Sequence, residues 1–326
     1  MHHCDIVIVT PALADANNGN WQTARRWAGF LASAYRVRLA LQWNGGSERL
    51  MIALHARRSA DSVAAWRASG ITRPVLLALT GTDLYRDIDT DASAQRSLAL
   101  ADALVVLNTL GAQRLPLLLR AKAHVLLQSC TARRPLPKTP RHLRALMVGH
   151  LRDEKDPQTY WRAARLLAAR SDIHLDHIGC ALRPALGAEA AALAAAQPNY
   201  RWLGGLPHAA VRRRIQAAHV LVHPSRMEGG AHVVIEAIRS GTPVLASRID
   251  GNLGLLGAGY AGCFEPGDAC GLAALLCQAR DDVDMLRGLA AALQARAPLF
   301  APEAERQTLL GVVATLLATP SPGDHA

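Results

Sequence analysis

The chain alternates between short runs of Val, Ile and Leu and longer stretches with helical periodicity, and this feature constrains the fold most. Such runs are typical of parallel strands that helices bury on both faces. In the first half we predict strands at Asp5–Val9, Val37–Gln42, Met51–Leu54, Val75–Leu79, Ala103–Leu107 and His124–Leu127. In the second half we predict them at Ala145–Val148, Leu175–Ile178, Tyr200–Leu203, Val220–Val222, Pro243–Ala246 and Cys263–Glu265. The pattern predicts an α/β fold with doubly wound parallel sheets.

One segment interrupts this alternation and predicts two domains. Residues 129–144 contain three prolines and few large apolar side chains, a composition that is typical of an interdomain linker. At about 150 residues per domain, a chain of 326 residues has room for two domains. We place them at residues 1–138 and 139–300, and we predict one further amphipathic helix within residues 301–319.

The formal net charge is +10, and most of the excess lies in the middle of the chain. No acidic residue occurs between Asp102 and Asp153, where nine cationic residues do occur: Arg114, Arg120, Lys122, Arg133, Arg134, Lys138, Arg141, Arg144 and Arg152. This distribution predicts either a region that attracts anionic ligands or a solvated basic linker, and both interpretations stay open. Residues 103–152 contain no Phe, Tyr or Trp, although nucleic-acid-binding surfaces usually interleave aromatics with cations. We therefore expect no nucleic-acid partner.

The six cysteines form no CxxC pair and no Cys/His ligand cluster, so we expect structural thiols in a reducing compartment. Cys270 and Cys277 lie seven residues apart on a predicted helix, a spacing that predicts buried thiols. The N-terminus lacks the charged and apolar regions of a signal peptide, and no run reaches the ~18 apolar residues of a bilayer span. These features predict a soluble, cytoplasmic protein with no integral membrane segment.

Loops at the carboxyl ends of parallel strands are where ligands gather in open α/β sheets. The first such loop contains Asn18-Gly19-Asn20 ahead of a predicted helix, where a glycine lets backbone amides approach a phosphate. There is no GxGxxG pattern, and an ordinary turn explains this loop equally well.

Two further loops follow the strands at Met51–Leu54 and Val75–Leu79. His55 lies directly after the former, beside Arg57 and Arg58, although a lone histidine is more often structural than catalytic. Thr80-Gly81-Thr82-Asp83 follows the latter. Gly81 allows close backbone approach, and Asp83 either orients a sugar hydroxyl or caps a helix.

The loop from Gly149 to Pro157 carries cations at the start of a helix. Asp156 as N-cap and Pro157 at the first helical position predict that the helix begins there. Arg152 and Lys155 lie just ahead of it, where a diphosphate would meet the helix dipole and two cations. Exposed loop charges are the structural alternative.

The most informative segment places Glu228 and Glu236 eight residues apart, with Gly229 and Gly230 expected to open a helix with free amides. Eight residues of helix span roughly 12 Å, which suits the two ends of one extended ligand. That span exceeds the separation of about 5 to 9.5 Å between the carboxylates of a glycosidase pair. Glu236 lies in an apolar stretch that predicts burial, and a ligand hydroxyl or ribose diol would satisfy its carboxylate.

This segment resembles the glutamate-x7-glutamate signature of retaining GT-B glycosyltransferases of the family 4 type. The resemblance also includes His223-Pro-Ser225 before the first glutamate, the run from Gly241 to Ser247, and the loop from Gly149 to Lys155. It implies two facing Rossmann-like domains, a sugar nucleotide in the cleft, no metal, and a last helix that crosses back to the first domain. Residues 1–138 would then be the acceptor side and residues 139–300 the sugar-nucleotide side.

The resemblance also implies roles for individual residues. Arg152 and Lys155 would hold the diphosphate, and Glu236 the ribose hydroxyls. Glu228 would hold the transferred sugar with support from the amides of Gly229, Gly230 and Ala231, and Gly19 would contact phosphate.

A narrower resemblance is to the selenosugar synthases of selenoneine biosynthesis. It rests on the runs from Leu79 to Asp87, from Leu54 to Ser59, from Glu228 to Glu236 and from Ser247 to Leu256. It implies that selenophosphate attacks the sugar of a UDP-sugar such as UDP-GlcNAc or UDP-Glc, with release of UDP and phosphate. Both reactants would be substrates, and no cofactor is expected.

For this chemistry we expect Arg57, Arg58 or Arg86 to hold the acceptor phosphate. His55 and Asp83 are the candidates for activating water when phosphate is removed from selenium. The alternative is a GT-B enzyme with a lipid-linked or polysaccharide acceptor, which favours an exposed apolar and basic patch on the first domain. The sequence of that half offers no obvious patch. An epimerase on the same fold would instead turn over UDP-sugar without an acceptor.

Overall fold

The computed structural model describes residues 4–13, 19–70 and 72–318. The chain divides into two compact units. The first consists of the chain up to Ser129, the tripeptide Glu228–Gly230 and the chain from Pro302 onward. The second consists of Cys130–Met227 and Ala231–Ala301. The division between Ser129 and Cys130 falls within the segment predicted as a linker.

The first unit is built on a six-stranded parallel sheet with the strand order β2-β1-β3-β4-β5-β6. Its strands are β1 Ile6–Val9, β2 Val37–Ala40, β3 Leu50–Leu54, β4 Val75–Leu79, β5 Ala103–Val106 and β6 Ala123–Val125. Its first five helices are α1 Gly19–Leu31, α2 Ala60–Ala68, α3 Ile88–Thr90, α4 Ala92–Leu100 and α5 Leu117–Arg120. The four central strands are buried along their whole length, because helices cover both faces of the sheet.

The second unit repeats this architecture with the strand order β12-β11-β10-β7-β8-β9, again parallel throughout. The strands are β7 Leu143–Val148, β8 Ile173–Ile178, β9 Tyr200–Trp202, β10 Val220–His223, β11 Val244–Ser247 and β12 Cys263–Phe264. The helices are α6 Pro157–Leu166, α7 Pro184–Ala196, α8 His208–Ala217, α9 His232–Ile238, α10 Asp250–Leu256, α11 Ala269–Asp281 and α12 Val283–Arg296.

The last described helix, α13 Pro302–Ala318, packs on α1 within the first unit. Leu309, Val312 and Val313 join Trp27 in the core on that face of the sheet. The buried carboxylate of Glu305 accepts hydrogen bonds from the Trp27 indole (2.7 Å) and the Arg26 guanidinium (2.8 Å). The apolar stripe and this buried polar contact together fix how the helix docks.

Each sheet has one switch point, where the chain reverses the direction in which it adds strands. In the first sheet it lies between β1 and β3, and in the second between β7 and β10. Crevices outside the carboxyl ends of such strand pairs are where doubly wound folds bind ligands. The predicted loops at His55, Gly149–Lys155 and His223–Glu228 each follow one of these strands.

All twelve predicted strands are present, and the predicted α/β fold of doubly wound parallel sheets is confirmed. The prediction of buried thiols at Cys270 and Cys277 is wrong, because both lie on α11 but neither is buried. The buried face of α11 consists of Ala269, Leu272, Ala273, Leu276 and Ala279, and the two cysteines lie off that face.

Candidate functional site

His55 follows β3 with its backbone in the left-handed region, at a φ of 75°. A non-glycine residue rarely adopts this conformation unless its surroundings hold it there. Its ring is buried, and Nε2 lies 3.1 Å from the Thr82 hydroxyl, while Nδ1 accepts the Arg58 amide (3.4 Å). Burial lowers the pKa of His55, although the charge of Asp83 opposes this shift. The arrangement favours a neutral imidazole with its proton on Nε2.

Asp83 is fully buried and uses both carboxylate oxygens on backbone amides. Oδ1 accepts from Thr80 (2.8 Å) and Gly81 (2.9 Å), and Oδ2 accepts from Ala56 (2.9 Å). These contacts tie the loop after β4 to the loop after β3. Because three amides occupy the carboxylate, the geometry favours a positioning role over the predicted contact with a sugar hydroxyl or water. Asp83 is not a helix N-cap either, because the amides that it accepts precede the helical turn that begins at Asp83.

The predicted acceptor-phosphate arginines surround one buried carboxylate. Arg57 and Arg86 each place Nε 3.0 Å from an oxygen of Asp87. Two guanidinium groups on one carboxylate leave a net positive charge at the carboxyl ends of β3 and β4. Arg58 is exposed next to them and contacts His55 through its backbone. The structure therefore brings His55, Asp83 and the three arginines into one cluster.

The tripeptide Glu228–Gly230 packs against the loop after β4 within the first unit. A Cβ at Gly229 would lie 2.4 Å from the Thr80 carbonyl oxygen, so glycine is required there by close backbone approach. The buried side chain of Asn108 donates to the carbonyl of Gly229 (2.8 Å). Sequence reasoning missed Asn108, although its position two residues after β5 is where functional polar residues occur.

The helix that follows these glycines begins later than predicted. α9 starts at His232, with the buried Ala231 as its N-cap, so Gly229 and Gly230 precede the helix and do not open it. Gly19 is the first residue of α1, and its carbonyl accepts a bond from the Thr23 hydroxyl (2.8 Å). Asn18 lies outside the described residues.

In the second unit, the loop from Gly149 to Lys155 leads into α6 with Asp156 as N-cap and Pro157 as the first helical residue, as predicted. Asp156 has a φ of 45° and pairs with Arg226 from the loop after β10, at 3.2 Å. Arg152 is exposed, and the aliphatic part of Lys155 covers Gly149. Arg226 is a further residue that sequence reasoning did not identify.

A buried relay of hydrogen bonds supports the start of this loop. The Trp161 indole donates to the Tyr200 hydroxyl (2.8 Å), which lies 3.1 Å from Nδ1 of His177. Nε2 of His177 lies 3.3 Å from the carbonyl oxygen of Gly149. Burial lowers the pKa of His177 to about 4, so its ring is neutral at pH 7. The hydroxyl proton of Tyr200 then bonds Nδ1, and the Nε2 proton bonds Gly149.

Glu236 is buried as predicted, and its carboxylate has protein partners in addition to the ligand hydroxyl or ribose diol that the sequence led us to expect. Oε1 lies 2.6 Å from Nε2 of His208, 3.4 Å from Nδ1 of His232 and 3.9 Å from the Arg212 guanidinium. Burial by itself raises the pKa of Glu236, but the bonds from the two histidines outweigh it and lower the pKa to about 2. The carboxylate is therefore ionised at any physiological pH.

A further polar network joins the loop after β10 to the end of β11 and the start of α10. Ser247 donates through its hydroxyl to the carbonyl of Ser225, and the amide of buried Asn252 donates to the carbonyl of Ser247 (2.9 Å). Ser225 also lies 3.2 Å from the ring of His223. These bonds hold the His223-Pro-Ser225 segment at the switch point of the second sheet.

The described residues offer neither a metal site nor a membrane-spanning helix. Residues 4–13, 19–70 and 72–318 contain no group of three or more His, Cys, Asp or Glu side chains arranged to hold a metal ion. Among the helices of that same part of the chain, none has the length and apolar character that crossing a membrane requires.

Residues 130–292, which are half of the chain, match the family described as glycosyl transferases group 1. The chain belongs to this family. The matched range contains the loop from Gly149 to Lys155 and both glutamates of the signature, but it leaves most of the first unit unmatched. No curated protein matches the sequence of this group 1 member significantly.

Solved structures similar to this group 1 chain have the GT-B fold that was predicted. Anabaena HepE, solved with UDP-glucose, is 15% identical with a TM-score of 0.77, over 96% of this chain and all of HepE. Sucrose-phosphate synthase from Thermosynechococcus elongatus is 17% identical with a TM-score of 0.75, over 97% of this chain and all of that one.

A variant of S. aureus TarM, solved with fondaparinux, alpha-GlcNAc-glycerol and UDP, is 14% identical with a TM-score of 0.66. The similarity covers 83% of this chain, which spans only 55% of the TarM chain.

Proposed function

We propose that the protein is a glycosyltransferase that uses a UDP-sugar as donor. The observation that carries this proposal is the position of its two signature loops, which follow β7 and β10 on either side of the switch point of the second sheet. The solved complexes of HepE with UDP-glucose and of TarM with UDP support the choice of donor.

In this proposal Arg152 and Lys155 neutralise the diphosphate as negative charge develops on the leaving group. Glu236 takes the ribose hydroxyls, and Glu228 takes the transferred sugar with support from Gly229, Gly230 and Ala231. The relay that ends at His177 keeps the Gly149 carbonyl in place, so that the cations of the loop are held where the diphosphate binds. Such positioning lowers the entropy cost of reaching the reactive geometry.

We further propose that the acceptor is selenophosphate and that the product is a selenosugar of selenoneine biosynthesis. Arg57 and Arg86 share Asp87 and keep a net positive charge, which suits a small anionic acceptor. Asp250-Gly-Asn252 begins α10 after β11, and Gly229-Gly230 follow the first glutamate, as in the selenosugar synthases that the sequence resembles.

The reaction would proceed in two steps. Selenium bonds to the anomeric carbon of the sugar while the bond from that carbon to the diphosphate oxygen breaks, and UDP leaves with the electron pair. Water then attacks phosphorus, and the P–Se bond breaks with its electron pair on selenium, which releases phosphate and the selenosugar. Of the two candidates for assisting the water, Asp83 already accepts three backbone amides, and His55 would have to give up its contact with Thr82 through Nε2 or with the Arg58 amide through Nδ1.

One observation favours a second candidate, a glycosyltransferase with a lipid-linked or polysaccharide acceptor. Leu117 and Leu118 of α5 are 77% and 93% exposed, and Arg120 follows on the same short helix. An exposed apolar pair beside a cation suits contact with a lipid-linked substrate. The structure thus supplies an apolar and basic patch that the sequence did not make obvious.

The test incubates the protein with UDP-GlcNAc and with UDP-Glc, each with selenophosphate, with a lipid-linked acceptor and with no acceptor. We expect UDP release only with selenophosphate, together with a product whose mass shows that sugar and selenium are joined. Release only with the lipid-linked acceptor would support the second candidate. Turnover of UDP-sugar without any acceptor would support an epimerase, and no turnover at all would refute the proposed activity.

A further inference from the structure

A cavity of about 450 Å³ lies within the second unit, between the segment that follows Cys130 and the C-terminal end of α9. Three arginines line it, Arg133, Arg134 and Arg239, together with the apolar side chains of Ala132, Pro135 and Ile238. Among the described residues, no Asp or Glu contributes to the lining, and neither do the loops after β7 and β10. Pockets for small ligands have volumes of roughly 300 to 1,000 Å³, so this cavity has the size of one.

The charge of these arginines is not neutralised by the described part of the chain. The Arg239 guanidinium donates to the carbonyls of Cys130 (3.2 Å) and Ala297 (3.1 Å). The Arg133 guanidinium donates to the side-chain oxygen of Gln216 (3.2 Å). All three acceptors are uncharged. The cavity is therefore lined by positive charge alone, and a cleft of one sign concentrates ions of the other sign.

The backbone that carries the arginines is fixed by hydrogen bonds. The amide of Arg133 donates to the carbonyl of Arg239 (2.9 Å), and the side chain of Gln216 donates to the carbonyl of Arg134 (2.8 Å). Cationic groups on a backbone that is ordered in advance bind a ligand at a smaller entropy cost. At these positions the basic segment is thus held against the second unit, which favours the anion-attracting interpretation over a solvated linker.

Capping of α9 does not explain the arginines. Cationic side chains near a helix C-terminus usually bond the last carbonyls of that helix. The last carbonyls of α9 instead accept backbone amides, those of Arg239, Ser240, Gly241 and Thr242. The guanidinium donors go to carbonyls outside α9, or have no acceptor among the described residues, as at Arg134. The arginines are therefore available to an anion.

We propose that this cavity binds a small organic phosphate, a phosphate monoester whose phosphate group contacts the three arginines. Guanidinium groups recognise phosphate through paired N–H donors. A free phosphate ion would fill only part of the cavity, because a water molecule takes only ~30 Å³, and the organic part would occupy the rest beside Pro135. The inference goes beyond the proposed function, because the cavity contains none of the residues assigned to the donor or the acceptor.

The experiment titrates the full chain with phenyl phosphate by calorimetry at pH 8, in a buffer without phosphate. At this pH a phosphate monoester carries two negative charges, because its second pKa is about 6. We expect phenyl phosphate to bind, inorganic phosphate to bind more weakly, and phenol, which lacks the anion, not to bind. Inorganic phosphate that binds as tightly as phenyl phosphate would overturn the assignment of an organic ligand.

Arg134→Gln is the decisive variant, because it removes a charge without breaking a side-chain hydrogen bond to the described part of the chain. It should raise the Kd for phenyl phosphate about tenfold through loss of one charge-assisted bond, and Arg133→Gln should have the same effect. The matched control is Arg49→Gln, which removes an exposed arginine of the first unit and should leave the Kd unchanged. Circular dichroism checks that each variant is folded.

Three results would overturn the inference. Equal weakening in Arg49→Gln would show general attraction to a chain of net charge +10. Weakening in Arg57→Gln but not in Arg134→Gln would place the phosphate at the arginines proposed to hold the acceptor. Absence of phenyl phosphate binding by the unaltered protein would also overturn the inference. None of these results would refute UDP-sugar turnover, which is measured separately, so failure of the inference and failure of the proposed function are distinguishable.

Discussion

The buried histidine of the relay, His177, predicts a specific loss of stability in acid. Its ring is neutral in the folded protein, where Nδ1 accepts from Tyr200 and Nε2 donates to Gly149. If Nδ1 of His177 gained a proton, it would become a donor facing the donated proton of the Tyr200 hydroxyl, and the ring would carry a charge in a fully buried site. We therefore choose His177→Gln, which retains a donor for the Gly149 carbonyl but has no proton to gain.

The magnitude follows from the two pKa values. Burial lowers the pKa of His177 from 6.5 to about 4, so between these values the unfolded chain binds more protons than the folded protein. The free energy of unfolding then rises with pH: the contribution is fully present above pH 6.5 and is lost as the pH falls toward 4. At pH 5 the loss from this one group is about 2 kcal/mol, and over the whole interval it is about 3 kcal/mol.

The assay is urea unfolding at pH 8 and pH 5, followed by circular dichroism and tryptophan fluorescence. We expect the unaltered protein to lose about 2 kcal/mol more between these pH values than His177→Gln does. The exposed His124 provides a matched control, and His124→Gln should lose as much as the unaltered protein. Equal losses in His177→Gln and the unaltered protein would refute the reasoning, because they would mean that His177 gains its proton freely in the folded state.

Three further predictions concern the loops and the last helix. Lys155→Ala should lower kcat/KM for UDP-sugar about 100-fold, because a positive charge at the diphosphate is lost. The control Arg213→Ala, on the exposed surface of α8, should leave kcat/KM unchanged. Near-normal kinetics for Lys155→Ala would reject its role. Gly229→Ala should lower the free energy of unfolding, measured by urea titration, by about 1 to 3 kcal/mol, because its Cβ would lie 2.4 Å from the Thr80 carbonyl oxygen. The control Gly288→Ala, whose Cβ would have no atom within 4 Å, should be neutral or stabilising. Glu305→Ala should lower the free energy of unfolding by about 2 to 3 kcal/mol, because it leaves the Trp27 indole and Arg26 without their buried acceptor. Glu303→Ala on the exposed side of α13 should lower it by less than about 0.5 kcal/mol. Equal unfolding midpoints for the two variants would contradict this account.

The sequence predicted the sheets well because buried parallel strands need continuous apolar runs, and few other elements produce them. Val75–Leu79 has the predicted bounds, and the other strands differ by one or two residues at one or both ends. The helix start at Asp156 and Pro157 was also predictable, since capping depends on neighbours in the chain. Local rules of this kind hold wherever the determining residues are adjacent.

The polar contacts were not predictable, because their partners lie far apart in the chain. His208 reaches Glu236 across 28 residues, His177 reaches Gly149 across the same distance, and Asn108 reaches Gly229 across 121. His208, His177 and Asn108 lie outside the motifs that the sequence shows. Asp83 illustrates the same limit, because its sequence context permits a cap or a ligand contact, and only the tertiary structure shows three amides on its carboxylate.

The docking of α13 has a consequence for biosynthesis. The first unit takes Leu309, Val312, Val313 and Glu305 from the far end of the chain, after every strand of the second unit has been translated. At about 5 to 20 residues per second, the ribosome finishes the second sheet about 2 to 10 seconds before it has made the residues that cover Trp27. The unit whose strands are translated first is thus the unit whose core is completed last. Removing α13 would expose the apolar side chains of the first unit that it covers, Trp27 among them.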